Sequence, residues 1–537
     1  MGYEPNELPL LHPALFCKST LFFNPIGKRL KIDIFPHRAE FRKFVIYTGI
    51  CMNNLFWGIL TLILTTAGFF VSWIMFRKSN VKITLILIIL CGLILRIFVS
   101  SDHYLHDWDE RYHALVAKHL IHHPLTPALY DKPLISYDYK DWTSNHIWLE
   151  KPPVPLWFMA VSICTFGCNE FAVRLPSMIF SVIAIYLTFL IGCHLFDKRT
   201  GLLAAFFHSI HGLLIEVAGG RLSSDHAETC FVFFIELAVL LCILSFVRKN
   251  RYYYSFLIGV CTGLAVLSKW FPALIVFPVW ITGAWLSKKF TLREAIVNLL
   301  LVFAGCIVIA APWFIYIVRA FPAEARWVIN KFLFAYSGSI EGHSAPFWYY
   351  LNYVEIIWGE LVYIPLIFAL YYMFKHPEEW ALKMLAAWWI LPVIIFSFGE
   401  TKRHTYLLLS APAFFVISSW YWWYLYKVVV NNKVTLWKYL LLFALIALPV
   451  RFTIERIKPF ETMERNPGWA TDLRKLNHRI PEKNVVIFNS EHPVETMFYT
   501  DFIAYSSVPD KEKFNDLLSQ GYSLYVYKNH VLMKMKE

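Results

Sequence analysis

Apolar runs of about 17–25 residues, each long enough to cross roughly 30 Å of hydrocarbon as a helix, recur from residue 81 to residue 453. No other feature constrains the fold as strongly, because a backbone in lipid must satisfy its polar groups internally. Hydrophobic residues make up 58% of the 537 and the mean hydropathy is +0.49, far above a soluble domain. The expected fold class is a polytopic α-helical membrane protein of about 11–13 transmembrane helices, followed by a small α/β domain outside the membrane. Such a composition ordinarily belongs to a transporter, so an enzyme has to be argued from the polar residues.

The net charge of +12 is dispersed in short loops: Arg77, Lys78 and Lys82, then Lys198 and Arg199, then Arg248, Lys249 and Arg251, then Lys288, Lys289 and Arg293. Basic residues in alternate loops mark the cytoplasmic side and exclude nucleic acid as the partner. The ten cysteines end at Cys306 and show no metal-ligand spacing. Cys164 and Cys168 read as packed thiols. The polar N-terminus predicts no cleavable signal peptide.

With the basic loops inside, spans are expected at about 81–100, 170–195, 200–219, 226–247, 252–269, 271–286, 296–318, 347–374, 380–398, 405–427 and 436–453. Residues 1–80 form an N-terminal extension whose apolar stretch 45–76 is either one long span or a hairpin; the membrane core is 81–453, with a first outer loop at 101–169. Residues 155–167 read as a helix on the membrane surface, anchored by Trp157. In the outer domain, 454–537, Asn484 to Asn489 and Ser523 to Tyr527 read as strands, and Asp472 to His478 and Lys511 to Leu518 as helices. A lid or spacer without chemistry is the preferred reading of this domain.

Ionisable residues near a bilayer are costly and usually functional, and here they gather at the outer ends of spans. Asp107-Trp-Asp-Glu-Arg-Tyr112 and Glu150-Lys-Pro-Pro153 are the densest cluster. Asp109 with Glu110 offers a general base; against it, Asp107 or Asp109 is a helix cap, and an Asp-x-Asp metal site has no nucleotide-binding domain around it. Lys151 binds a phosphate or snorkels, and Glu150 orients Lys151 or holds a divalent cation. Asp225 is a cap or a site residue. Lys269, His343, Tyr349, Tyr350, Lys402, Arg403, His404 and Tyr406 complete an outer ring, and Glu216 and Glu228 are the nearest to mid-span carboxylates. No Walker or Rossmann loop, Gly-x-Ser-x-Gly elbow or zinc helix is present.

In order, these segments resemble the polyprenyl-phosphate-dependent membrane glycosyltransferases of the C-type fold, notably the lipid A aminoarabinose transferases and, more distantly, the protein O-mannosyltransferases. The resemblance rests on Trp108-Asp-Glu-Arg-Tyr112, Glu150-Lys-Pro152, Phe166 to Arg174, Asp225, Leu267-Ser-Lys-Trp-Phe271, His343 to Tyr350, and Phe396 to Lys402 with Thr405 and Tyr406. It covers roughly residues 81–427. An aromatic insert at Tyr137 to Trp142 and His404 in place of a proline depart from the family pattern.

The resemblance implies inverting transfer of a hexose or pentose from a polyprenyl-phosphate donor to a glycolipid such as lipid A, a polysaccharide or a protein. Transfer takes place on the outer face of a bacterial inner membrane, where the C-terminal domain also lies. Asp109, Asp225 and Glu110 are then catalytic. Lys151, Lys269, Lys402 and Arg403 bind the donor phosphate, and Arg111, Tyr112, Glu150, His343, Tyr349, Tyr350 and Tyr406 bind substrate. No cofactor is required, a divalent cation at Glu150 being the alternative. The rival classes are a lipid-linked saccharide flippase and a glycan polymerase or ligase using a diphosphate-linked donor.

Overall fold

The computed structural model describes residues 38–224, 226–333, 342–359, 362–431, 436–528 and 531–535, with side chains from residue 54 onward except 430 and 431. Among them, six helices are long and apolar enough to cross a membrane, or seven if one bent pair is a single span. The apolar stretch before residue 77 is one continuous helix, α1 (Arg38–Arg77), not a hairpin. It turns at Ser79, with φ 58°, into α2 (Val81–Val99), whose N-cap Asn80 accepts from Ile83 N–H. Asn54 on α1 accepts from Arg465 Nε at 2.6 Å, and Arg465 also donates to Phe98 O at 2.8 Å. The Asn54 end of α1 therefore lies beside the C-terminal end of α2. The basic segment before Arg38 lies outside the described residues.

The first loop carries α3 (Asp109–Leu120) and α4 (Pro153–Phe166). At 14 residues, α4 is about 21 Å long and too short to cross. Trp157 ties it inward, donating from Nε1 to Pro124 O at 2.7 Å and meeting Trp313 edge-on at 5.7 Å. Then come α5 (Glu170–Leu195), α6 (Lys198–Ile210) and α7 (Gly212–Ala218), the last two bent by 56°. Next are α8 (His226–Val247) and α9 (Arg251–Lys269). A 3-10 turn at Phe271–Ile275 opens α10 (Val276–Ser287). The long α11 (Leu292–Ala320), α12 (Pro322–Leu333), α13 (Tyr349–Asn352), α14 (Val354–Trp358), α15 (Tyr363–Lys375), α16 (Trp380–Phe398), α17 (Ala411–Asn431) and α18 (Leu436–Ile457) complete the membrane part.

Two points of packing matter for the site. A Cβ on Gly259 of α9 would meet Val302 O at 2.1 Å, and one on Gly305 of α11 would meet Phe256 O at 2.4 Å. Small residues thus let these helices approach closely and set the position of Lys269 at the end of α9. The expected span at 347–374 is divided among α13, α14 and α15, with Gly359 at φ 82° just after α14, a conformation that suits glycine and ends a helix.

Beyond α18 lie α19 (Gly468–Arg474), α20 (Leu476–Arg479), β1 (Val485–Phe488), α21 (Pro493–Tyr499), β2 (Ile503–Ala504), α22 (Lys511–Ser519), β3 (Ser523–Lys528) and β4 (Val531–Lys534). The sheet order is β2-β1-β3-β4. Val486 pairs in parallel with both Ile503 and Leu524, while β4 runs antiparallel to β3. This unit is packed onto the first loop in one continuous core that includes Leu115, Leu129, Trp148, Phe488 and Phe498. Tyr130 stacks on Tyr505 at 4.9 Å. Lys118 donates from Nζ to the carbonyls of Met497, Phe498 and Thr500 at 2.8, 3.2 and 2.6 Å, a cation on the C-terminal end of α21 where the helix dipole favours it. Replacing Lys118 by Met is expected to destabilise the docking by about 1–3 kcal/mol, seen as faster amide exchange in 493–505. Exchange there identical to the wild type would refute the clamp.

Candidate active site

One cleft gathers Asp109, Trp142, Glu150, Lys151, Ser224, Glu228, Phe231, Lys269, Trp270, Phe332, Thr401, Arg403 and Tyr406 among its lining residues. It encloses about 1010 Å³, open solvent at its mouth included. Asp109 is the first residue of α3, but neither it nor Asp107 caps the helix. The N-cap is Trp108, at φ 67° and without a side-chain cap bond. A left-handed tryptophan is strained, and the same strain recurs at Trp270, φ 63°, immediately after Lys269. Both kinks flank a charged residue of the cleft. Trp270 is held by its Nε1, which donates to Glu150 O at 3.1 Å, and by stacking on Phe332 at 4.9 Å.

Charges in the cleft alternate. Lys151 Nζ lies 3.1 Å from Asp109 Oδ2, both side chains largely buried. Lys331 of α12 pairs with Glu150, and Lys269 with Glu228. Lys269 also lies 5.0 Å above the Tyr406 ring, a cation–π contact. Burial pushes the Lys151 ammonium down, but Asp109 and Glu150 beside it outweigh this and raise it. Lys151 therefore stays charged. Two prolines follow it and start α4, which directs the chain away from the cleft at that point.

Of the residues singled out from sequence, Asp109, Glu150, Lys151, Glu228, Lys269, Arg403 and Tyr406 line this cleft. Asp225 lies outside the described residues. The others are placed elsewhere. Lys402 is buried, with Nζ donating to the carbonyls of Ala345, at 2.8 Å, and Gly399, so it is a loop staple and not a phosphate ligand. Arg111 points to the C-terminal unit, 3.2 Å from Glu495, and to Asp107 at 3.5 Å. Tyr112 is buried behind Trp142, ring centroids 4.9 Å apart. Tyr350 is buried and donates to Arg403 O at 3.3 Å, and Tyr349 packs on Tyr350 and Tyr353. His343 meets the site region through its carbonyl, which accepts from Lys402 N–H at 2.9 Å. Among the described residues, no three His, Cys, Asp or Glu side chains are grouped as metal ligands would be, and Glu150 is paired to Lys331.

Glu110, expected to be catalytic, is fully buried and outside the cleft. Arg174 Nε and Nη2 hold its two oxygens at 2.7 and 2.9 Å. His226 Nε2 lies at 3.1 Å and His106 Nδ1 at 2.7 Å. His106 continues to Asp102 at 3.1 Å, which is bound by Arg221 at 2.9 Å and Arg465 at 3.1 Å. A Cβ on Gly220, φ 74°, would lie 2.5 Å from Glu110 Oε1, so only glycine fits there. Sequence reasoning missed this network, and it missed Ser224 in the cleft and Lys331, the partner of Glu150. Trp142 was visible only as part of the aromatic insert.

A family model described as dolichyl-phosphate-mannose-protein mannosyltransferase matches residues 150–316. An undecaprenyl phosphate-alpha-4-amino-4-deoxy-L-arabinose arabinosyl transferase of Pseudomonas aeruginosa (strain UCBPP-PA14) is 25% identical over 280 residues, 50% of this chain and 49% of that protein. The enzyme of the same name from Erwinia tasmaniensis is 27% identical over 277 residues, 50% and 49% of the two chains. This chain thus spans about half the length of the curated relatives it matches. In structure it is similar to ArnT from Cupriavidus metallidurans bound to undecaprenyl phosphate, with TM-score 0.61 and 15% identity over 82% of this chain and 92% of that one. It is also similar to the archaeal oligosaccharyltransferase AglB from Archaeoglobus fulgidus, with TM-score 0.54 and 14% identity over 84% and 70%. The fold is therefore that of the polytopic membrane glycosyltransferases.

The network has a pH signature. Burial alone would raise Asp102, but the hydrogen bond from His106 and the charges of Arg221 and Arg465 hold it far below the carboxylate range. Burial likewise opposes Glu110, and Arg174, His106 and His226 depress it. Depressed carboxylates contribute stability in full above their unfolded pKa near 4, lost as pH falls through the folded values. For His106, burial lowers the pKa, yet Glu110 and the hydrogen bond to Asp102 outweigh burial and Arg174 and leave it raised. Its contribution is complete below about pH 6.5 and is lost as pH rises through the folded value. The difference in Tm between wild type and His106→Gln is expected to shrink from about pH 6.5 upward. Parallel profiles from pH 5 to 9 would refute this. Glu110→Gln, which leaves Arg174 buried without its counter-ion, is expected to cost about 3–5 kcal/mol.

Proposed function

We propose that this chain, sharing the fold of the polyprenyl-phosphate-dependent glycosyltransferases, transfers a sugar from a polyprenyl-phosphate donor to an acceptor on the outer face of a membrane. The Asp109–Lys151 pair, 3.1 Å apart in the cleft, carries the proposal. It places a base and a fixed cation at one point, with Arg403 in the same wall. Asp109 takes the proton of the acceptor hydroxyl or amine as that atom attacks the anomeric carbon. The bond to the phosphate oxygen breaks on the opposite face, inverting the centre, and Lys151 and Arg403 receive the released phosphate charge. A phosphate leaving group needs no general acid. Lys151 cannot fully serve both partners, so its engagement by the donor phosphate loosens its hold on Asp109 and frees the base. The reaction as written needs no cofactor, because the cations are side chains.

The names of the similar proteins support the donor class: undecaprenyl phosphate for the arabinosyl transferases and for the bound ArnT structure. The sugar is a pentose such as 4-amino-4-deoxyarabinose or a hexose such as mannose, and the acceptor a glycolipid, glycan or protein. The membrane is a bacterial inner membrane, with cleft and C-terminal unit outward. The run of basic residues in alternate loops supports this orientation, and two of those loops meet where Arg251 donates to Lys289 O at 2.7 Å.

Asp109→Asn is expected to lower the transfer rate at least ~100-fold while leaving undecaprenyl phosphate binding intact. Lys151→Met is expected to lose both binding and rate, the latter by roughly 100- to 1000-fold. Mass spectrometry of envelope glycolipids and glycoproteins, and binding to the purified chain, read these outcomes. Wild-type turnover by Asp109→Asn would refute the base, and lipid movement across vesicles without glycosylated product would make the chain a flippase.

A further inference from the structure

The cleft has a second wall that the phosphate chemistry does not use. Glu228, in the first turn of α8, is 1% exposed and lines the cleft. Its Oε2 accepts from Lys269 Nζ, while its Oε1 is buried with no hydrogen-bond partner among the described residues. An unsatisfied carboxylate oxygen in a protein interior is destabilising and asks for a donor. Lys269 rests on the Tyr406 ring, and Tyr406 packs on Phe396 at 5.4 Å. With Phe231 and Trp270, also in the lining, these make an apolar surface around one buried acceptor. That is how pockets orient a small polar ring: broad apolar contact and few directed polar groups.

We infer that Glu228 is a specificity-determining residue for the donor sugar, its Oε1 accepting a hydrogen bond from a hydroxyl or ammonium substituent of the ring. The inference rests on the proposed transferase reading. Lys269 then serves this subsite by holding Oε2 and fixing the carboxylate, and Lys151 with Arg403 holds the phosphate. Sites built to accept a particular donor discriminate strongly against ligands that lack it.

The test is binding of four probes to the purified full chain in lipid nanodiscs: undecaprenyl phosphate, and the same lipid phosphate carrying 4-amino-4-deoxyarabinose, mannose or glucose. The wild type is expected to bind at least one sugar-bearing lipid roughly 10- to 100-fold more tightly than the bare phosphate. In Glu228→Gln the amide oxygen turns to Lys269 and the NH2 faces the cleft, a donor that an ammonium cannot accept and that a hydroxyl meets only as acceptor, without the charge of the carboxylate. Glu228→Asp keeps the charge beside Lys269 and withdraws it from the ring, so it guards against misfolding of the first variant. Both are expected to lose the sugar preference while bare-phosphate binding stays within about threefold. Retained preference in either variant would overturn the inference, as would equal weakening of all four probes by Glu228→Asp, which would make Glu228 a counter-ion of Lys269 only. A wild type that binds the bare phosphate but prefers no sugar refutes the subsite alone. One that binds no undecaprenyl phosphate refutes the transferase reading as well.

Discussion

A buried guanidinium bound by two nitrogens to a buried carboxylate, Arg174 to Glu110, is the contact on which the outer half of the molecule depends. Arg174 also donates to the carbonyls of Ser100 at 3.0 Å and Tyr104 at 2.6 Å, so one side chain of α5 fixes the end of α2, the first-loop entry and α3. Asp102, His106, Arg221, His226 and Arg465 extend the hold to the turn before α8 and the segment after α18. Removing charges from water is expensive unless geometry and hydrogen bonding are near complete. Here almost every oxygen and nitrogen finds a partner, and the strongest consequence is placement: Asp109, one residue before Glu110, has little freedom to move.

Placement is what the proposed transfer asks of a protein. Little covalent chemistry falls to the enzyme when the leaving group is already a phosphate, so positioned cations and a positioned base supply most of the effect. Three carboxylate–lysine pairs, Asp109–Lys151, Glu150–Lys331 and Glu228–Lys269, each with at least one member in the cleft lining, keep each charge solvated by its neighbour. The arrangement also limits the cost of burying lysines at a membrane boundary. The C-terminal unit belongs to the same argument. Its Glu495 meets Arg111 two residues beyond Asp109, and its helix end receives Lys118 at the far end of α3, so it braces the helix that carries Asp109.

The cleft positions were legible where charge sat beside membrane spans and prolines, as for Asp109 and Lys151. The long helices were legible from apolar length alone, which settled neither α1 against a hairpin nor the break at Gly359. A 40-residue helix and a hairpin have the same composition, and the break depends on one glycine's φ. Lys402 and Arg403 could not be told apart, since the loop between α16 and α17 turns one inward to carbonyls and the other to the cleft. Lys118 was invisible because its partners are backbone atoms 379 to 382 positions away, which carry no residue-type signal. Lys331 was missed for a related reason: its partner Glu150 is 181 positions distant.

Asp109 and Glu110 show the limit most sharply. Two neighbouring acids in one motif read as a catalytic pair, yet successive residues on a helix point about 100° apart. One therefore meets the cleft while the next turns into the interior. There, Arg174, His106 and His226 hold Glu110 ionised and immobile, so it has no free oxygen to offer a substrate. Asp109, 14% exposed at its side chain and held by one lysine, keeps access to the cleft and a single partner. The difference between a structural and a chemical carboxylate is thus set by helix phase and by the number of cations each one meets. Neither quantity is written in the dipeptide.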